Sequence, residues 1–209
     1  MSEPFRFSKR WRSGAIALAV LGGVAGGASF MLAASSAHAS TLIALSLEEL
    51  VTRAERVVVA VPRTRSSRWE SGRMVTYTTV DVEATLGGSA ATAPLVVRTL
   101  GGEIDGLGQQ VYGEAKLPLG APVILFLRAP IAAKDVALLG SLGVVAMEQG
   151  AMHINRAAGK IDTVRATLGS EAITPPGSSI VPAHVRVAGR AVADVSNEIR
   201  GLFAAKDKK

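Results

Sequence analysis

VVVAVPRTRSSRWESGRMVTYTTVDVEATL, from Val57 to Leu86, has the pattern of two strands joined by a turn. Val57 to Val61 is an apolar, largely β-branched run, and Arg63 to Trp69 stays extended in character, so a first strand is expected. Glu70-Ser71-Gly72-Arg73 has turn chemistry. Met74 to Leu86 then alternates, with Val80, Val82, Ala84 and Leu86 on one face and Thr79, Asp81, Glu83 and Thr85 on the other. Val75 and Tyr77 have the opposite parity from Val80 and Val82, which places a bulge near Thr78-Thr79 and bends the strand. A bent strand helps to close a small barrel.

Upstream, Ser46-Leu47-Glu48-Glu49 is a capping box: the serine oxygen accepts from a first-turn amide and Glu49 reaches back to the Ser46 amide. Leu47, Leu50, Val51 and Ala54 share one face of the short helix that follows, and Arg53 and Arg56 close it. Downstream, Gly87-Gly88-Ser89 ends the hairpin and Pro94 opens a strand from Leu95 to Leu100. Gln109 to Leu117 reads as a further strand. Val123 to Leu127 is apolar on both parities, as a central strand buried on both faces would be. Val144 to Met147, Ala151 to Asn155 and Lys160 to Val164 read as three short strands of a meander. Val185 to Val192 reads as extended, and Val195, Ile199, Leu202 and Phe203 have the spacing of a closing amphipathic helix.

Short strands with turn signals, no βαβ alternation and a helix at each end specify a mostly-β fold: a small closed or partly closed β-barrel, OB-like, with a β-sandwich as the alternative. The domain is expected over residues 40–205, followed by a charged tail at 206–209.

The first 39 residues have a different character. Arg6, Lys9, Arg10 and Arg12 lead into the uncharged apolar run Ala15 to Ala34 and then Ala37-His38-Ala39, the order of an export signal with cleavage between Ala39 and Ser40. An uncleaved anchor is the competing reading, because the run is long enough to span a bilayer. Gly22, Gly23, Gly26 and Gly27 soften it and favour cleavage. With no cysteine in the chain, a lipid anchor through that residue is excluded. Ser8-Lys9-Arg10 hints at twin-arginine export, although the pair is Lys-Arg. The product is expected in the periplasm or outside the cell.

Removing that segment lowers the formal net charge from +6 to +3 and leaves 170 residues, enough for one core. Much of the basicity belongs to the targeting segment, and what remains is too little for a nucleic-acid footprint. An exported chain without cysteine depends on its apolar core and backbone pairing alone. Trp69, Tyr77, Tyr112, Phe126 and Phe203 are its aromatics, too few to suggest stacking platforms.

The glycine-framed segment Gly101 to Gly108 holds Glu103 and Asp105 one residue apart. Its Gly106-x-Gly108 spacing would cradle phosphate only at the opening of a helix, and the following residues look extended. Two carboxylates supply hard oxygens for calcium but fall short of the roughly six to eight that ion takes, so a loop whose glycines permit positive φ is preferred. His153 and His184 have no zinc spacing. Ser178 and Ser179 lie in a Pro-Gly loop without the strand-turn-helix context of a nucleophile. No metal, no cofactor and no catalytic residue is assigned. Arg63, Arg65, Arg68 and Arg73 surround Trp69 on the first hairpin, either as a basic face for an acidic partner or as a charged edge that discourages self-pairing, the preferred reading.

Ser46 to Leu50, Ser67-Arg68-Trp69, Thr76 to Leu86, Arg98 to Gly102 and Met147-Glu148-Gln149-Gly150 together resemble a set of exported bacterial proteins of unknown function. The barrel with flanking helices also resembles the oligonucleotide/oligosaccharide-binding barrel, including its netrin-like and metalloproteinase-inhibitor branch. That inhibitor branch implies chelation of a protease zinc through an N-terminal cysteine. Here the expected start is Ser40-Thr41, which puts chelation in doubt.

The expected function is a non-enzymatic exported domain that binds an unidentified protein or anionic envelope ligand. Loops at one end of the barrel, Gly101 to Gly108 and Thr174 to Ser179, are the candidates, with Glu103, Asp105, Arg65, Arg68 and Trp69 as ligand residues. No nucleic acid is expected, and membrane contact only through an uncleaved signal. The alternatives are an envelope enzyme using the carboxylates of Glu103, Asp105 and Glu114, and a secreted protease-inhibitor-like module.

Overall fold

The segment from Val57 to Leu86 forms one long hairpin in the computed structural model, which describes residues 42–90, 94–130, 140–165, 172–174 and 177–208. The export segment, with its cleavage pair Ala39 and Ser40, lies outside the described residues, as does part of the loop from Thr174 to Ser179. In chain order the strands are β1 (Leu42–Ile43), β2 (Arg56–Glu70), β3 (Arg73–Gly87), β4 (Leu95–Leu100), β5 (Gly102–Ile104) and β6 (Leu107–Gln109). They continue with β7 (Val123–Pro130), β8 (Leu142–Val144), β9 (Ala151–Asn155), β10 (Thr163–Arg165) and β11 (Ala172–Ile173). The helices are α1 (Leu47–Arg53), α2 (Ala183–Val187) and α3 (Val192–Lys206).

β2 and β3 turn at Ser71 and Gly72, both at positive φ as a two-residue type I′ turn requires. β3 pairs with β4, β4 runs parallel to β8, β8 pairs antiparallel with β7, and β7 returns to β2. The circuit closes a five-stranded, OB-like barrel. β7 serves two neighbours on the edge away from β2. Its first residues pair with β9, which carries β10 outward, and Leu127 onward pairs with β8.

β7 shows why both parities are apolar. Val123, Leu125 and Leu127 join Val58, Ala60, Val80 and Val97 inside the barrel, while Ile124 and Phe126 join Val57, Val59, Leu47, Leu50, Ile199 and Phe203 under the helices. At about 1.5–3 kcal/mol for each fully buried aliphatic side chain, these two cores take the place of disulfides.

The bend has a different origin from the expected one. The extra residue that changes the pairing is Arg63 on β2, between the pairs Pro62–Val80 and Thr64–Thr79, while Thr78 and Thr79 keep regular partners. A second irregularity leaves Glu83 out of register between the partners of Val59 and Ala60. It divides the expected apolar face: Val80 and Val82 belong to the barrel core, Ala84 and Leu86 to the helix-side core. A bulged strand can supply two cores because the extra residue re-aims the side chains that follow it.

The capping box forms as read, with Ser46 Oγ accepting from Glu49 N and Glu49 Oε2 accepting from Ser46 N. α3 buries Val195, Ile199 and Phe203. The Phe203 ring occupies the place of a β-carbon at Gly87, where an added Cβ would stand 2.2 Å from it. Lys206 closes α3, and its ammonium donates to the carbonyls of Val51 and Ala54 at the C-terminus of α1, where a cation offsets the helix dipole. Arg186 of α2 bridges Glu48 of α1 and Glu198 of α3. Among the described residues no helix is long and apolar enough to cross a membrane.

Three expected strands are corrected. Of the expected strand Gln109 to Leu117, only Gln109 is in a strand, as the last residue of β6. Gly113 adopts φ 74°, and the chain after it crosses the barrel end irregularly. Val185 to Val192 is not extended: α2 ends at Val187, Gly189 at φ 71° turns the chain, and α3 begins at Val192. Burial of Ala183 and Val187 against the helix-side core overrides β-branched propensity there. Val144 ends β8, because Ala146 and Met147 enter the left-handed region and start a 3-10 turn through Gly150. That turn buries Gln149, whose amide accepts from Leu45 N and donates to the Ile43 carbonyl, each at 2.9 Å, and so holds the chain leading into α1.

Candidate functional site

Gly101 and Gly102 let a second hairpin, β5–β6, sit against the distal half of the first. Its turn is Asp105-Gly106, both residues at positive φ. Hydroxyl chemistry fastens it: Glu103 N donates to Ser67 Oγ, Ser67 donates to Thr76 Oγ1 at 2.9 Å, and Thr76 donates to the Gly101 carbonyl at 2.7 Å. The Gln109 side chain accepts from Met74 N at 2.7 Å. An added Cβ on Gly102 would lie 2.4 Å from both hydroxyl oxygens, so only glycine allows this approach.

The segment after β6 closes the barrel end. Ala115 and Leu117 insert into the barrel core, while Lys116 between them faces solvent. Glu114 fixes the crossing. Its carboxylate accepts from Leu100 N at the end of β4 and from Ala115 N, each at 3.1 Å. Burial pushes its pKa up, and the two amides only partly offset this.

β2–β3, the β5–β6 hairpin and this crossing segment border an open cavity of about 740 Å³. Arg65 and Ser67 line it from β2, Thr76 from β3, Glu103, Asp105 and Gln109 from the small hairpin, and Glu114 and Lys116 from the crossing. A second cavity of about 360 Å³ shares Arg65, Thr76 and Lys116 and adds Thr78 and Thr99. The two form a polar mouth over the apolar barrel interior. Among the described residues, Arg65, Lys116, Glu103 and Asp105 have no ion-pair partner, although both signs line one cavity.

Three of the five proposed ligand residues, Glu103, Asp105 and Arg65, therefore converge, and Glu114 joins them. Trp69 shares the Ser67 face of β2 by strand alternation and is half exposed, beyond the residues that line the cavity. Arg68 is on the opposite face. It pairs with Glu70 at 2.8 Å and stacks over Tyr77, and Glu70 also receives Arg98 at 2.8 Å and the Tyr77 hydroxyl. Of the other arginines on this hairpin, Arg63 is paired with Asp81.

The histidines do not reach the mouth. His153 is on β9 opposite Arg165, its Nδ1 buried without a hydrogen bond, and burial lowers its pKa with help from Arg165. His184 is on α2, its pKa also lowered by burial. Ser178 Oγ accepts from Ile180 N, a local turn bond rather than a poised nucleophile. Among the described residues no cluster of histidine, cysteine and carboxylate side chains could hold a metal.

Thr76, Thr78, Thr99, Gln109 and Lys116 line the two cavities and were not singled out from the sequence. A signal existed for two of them. Thr76 and Thr78 have the parity of Val80 and Val82, and hydroxyls at barrel-facing positions mark a polar end. No family model, curated protein or solved structure matches this chain at a significant level.

Proposed function

We propose that this chain is an exported, non-enzymatic binding domain whose ligand seats in the polar mouth of the barrel. The observation that carries the reading is the convergence on one cavity of about 740 Å³ of four charges, Arg65, Lys116, Glu103 and Asp105, that have no ion-pair partner among the described residues, a volume suited to a small ligand or part of a larger one. Export rests on the basic run, apolar run and Ala37-His38-Ala39. An anionic envelope ligand would engage Arg65 and Lys116, and a protein partner could use both signs.

Ligand binding stabilises a folded chain by mass action, which gives the test. Phosphatidylglycerol vesicles, a chitin hexasaccharide and a mixed-charge peptide are each added to the full chain and to an Arg65→Ala, Glu103→Ala, Asp105→Ala variant, and the melting temperature is followed. The reading predicts that at least one stabilises the parent and not the variant. Equal stabilisation of both proteins, or none of the parent, contradicts it.

A second reading has its own observation: Glu103, Asp105 and Glu114 share the cavity, and the raised pKa of Glu114 suits a proton donor. An enzyme acting on an envelope polymer would lose turnover when these three become alanine while ligand binding persists. The inhibitor-like reading depends on Ser40, outside the described residues.

A further inference from the structure

The backbone bordering the mouth adds a feature that the cavity alone does not have. β2 runs to Glu70, but its β7 partner covers only Arg56 to Ala60. From Arg63 to Glu70 β3 is the one strand paired with it among the described residues, so no described strand covers the opposite edge at Arg65, Ser67 and Trp69. That edge carries Arg65 and Ser67 on the cavity side. Trp69, Leu107, Tyr112 and Leu119 belong to segments that frame the same region, and all are large apolar residues about half exposed or more. An edge that no described strand covers, exposed apolar side chains and cavity charges of both signs match an extended polypeptide better than a sugar or a polyanion, because a strand supplies main-chain bonds and alternating side chains together.

Resting on the reading of the mouth as a binding site, we propose that its ligand is an extended segment of a partner protein that adds as a strand to the Arg63–Glu70 edge of β2. Its cavity-side face carries a basic side chain for Glu103 and Asp105 and an acidic one for Arg65 and Lys116. A second copy of this chain does not fit. Pairing the β2 edge with its own copy would place two Arg65 side chains in one mouth and supply no basic side chain for Glu103 and Asp105, and like charges across a strand pair are destabilising.

The test uses the full chain and a blocked peptide, acetyl-Thr-Val-Lys-Val-Glu-Val-Thr-amide, with calorimetry as the readout. Two further peptides carry N-methyl groups, one on its three valine amides, the other on its lysine and glutamate amides. Successive amides of a strand point to opposite edges, so strand addition predicts that one methylated peptide loses roughly tenfold or more in affinity while the other keeps it. Arg65→Ala should weaken the parent peptide. Equal binding by both methylated peptides, equal loss by both, or no binding of the parent overturns strand addition. If the parent peptide fails while vesicles or hexasaccharide still stabilise the wild type but not the Arg65, Glu103, Asp105 variant, only strand addition falls. If those also fail, the mouth reading falls with it.

Discussion

Glu70 is the end of β2 and the centre of its charged outer face, taking hydrogen bonds from Tyr77, Arg98 and Arg68. Partial burial works to raise its pKa, but the three donors prevail and lower it from 4.5 to about 2. A carboxylate whose folded pKa is depressed contributes stability that is present above the unfolded value and lost as pH falls through the folded one. Glu70→Gln should therefore destabilise at pH 7 by about 1–3 kcal/mol. In urea unfolding, the difference from wild type should shrink between about pH 4.5 and pH 2. A difference that stays constant across that interval would show that the charge of Glu70 is not what these donors hold. Gln149 makes a comparable prediction without charge. Its alanine variant leaves Leu45 N buried and unpaired, at a cost of about 1–3 kcal/mol by thermal or urea unfolding.

Packing of elements rests on positions where a side chain is missing. α3 docks through Phe203 into the space above Gly87, and the small hairpin docks through Gly102 onto Ser67 and Thr76. Gly87→Ala should cost about 1–3 kcal/mol by overpacking the ring. Combined with Phe203→Ala the two losses should fall well short of additive, because the second change removes the clash. Strict additivity in chemical denaturation would place Phe203 elsewhere. Gly102→Ala should cost stability as well, and should weaken ligand binding in the mouth because Glu103 and Asp105 would move with their hairpin. Ser46→Ala, which breaks the capping box, should cost about 1 kcal/mol.

The barrel was legible in the sequence where pattern and packing agree. The hairpin turn at Ser71-Gly72, the doubly apolar β7 and the spacing of Val195, Ile199 and Phe203 each report a local rule that the fold obeys. The bulges at Arg63 and Glu83 were not legible in position, because alternation records a change of face without saying which strand carries the extra residue. α2 was hidden for a related reason: Val185 and Val187 favour strands locally, and only the helix-side core makes their helix worthwhile. The site was half legible. Gly101 to Gly108 stood out by composition and its acids do line the mouth. Lys116 and Thr99 did not stand out, since they reach it only through the barrel crossing and the β3–β4 register.

A ligand seated in the polar mouth should leave every other face of the domain undisturbed. Amide-resolved NMR of the full chain, titrated with whichever of the three probes stabilises it, reads this residue by residue. Binding in the mouth predicts shifts confined to residues 63–78 and 99–118, with the amides of α1 and α3 unmoved. Shifts centred on the helices, with Arg65, Glu103 and Lys116 silent, would contradict it.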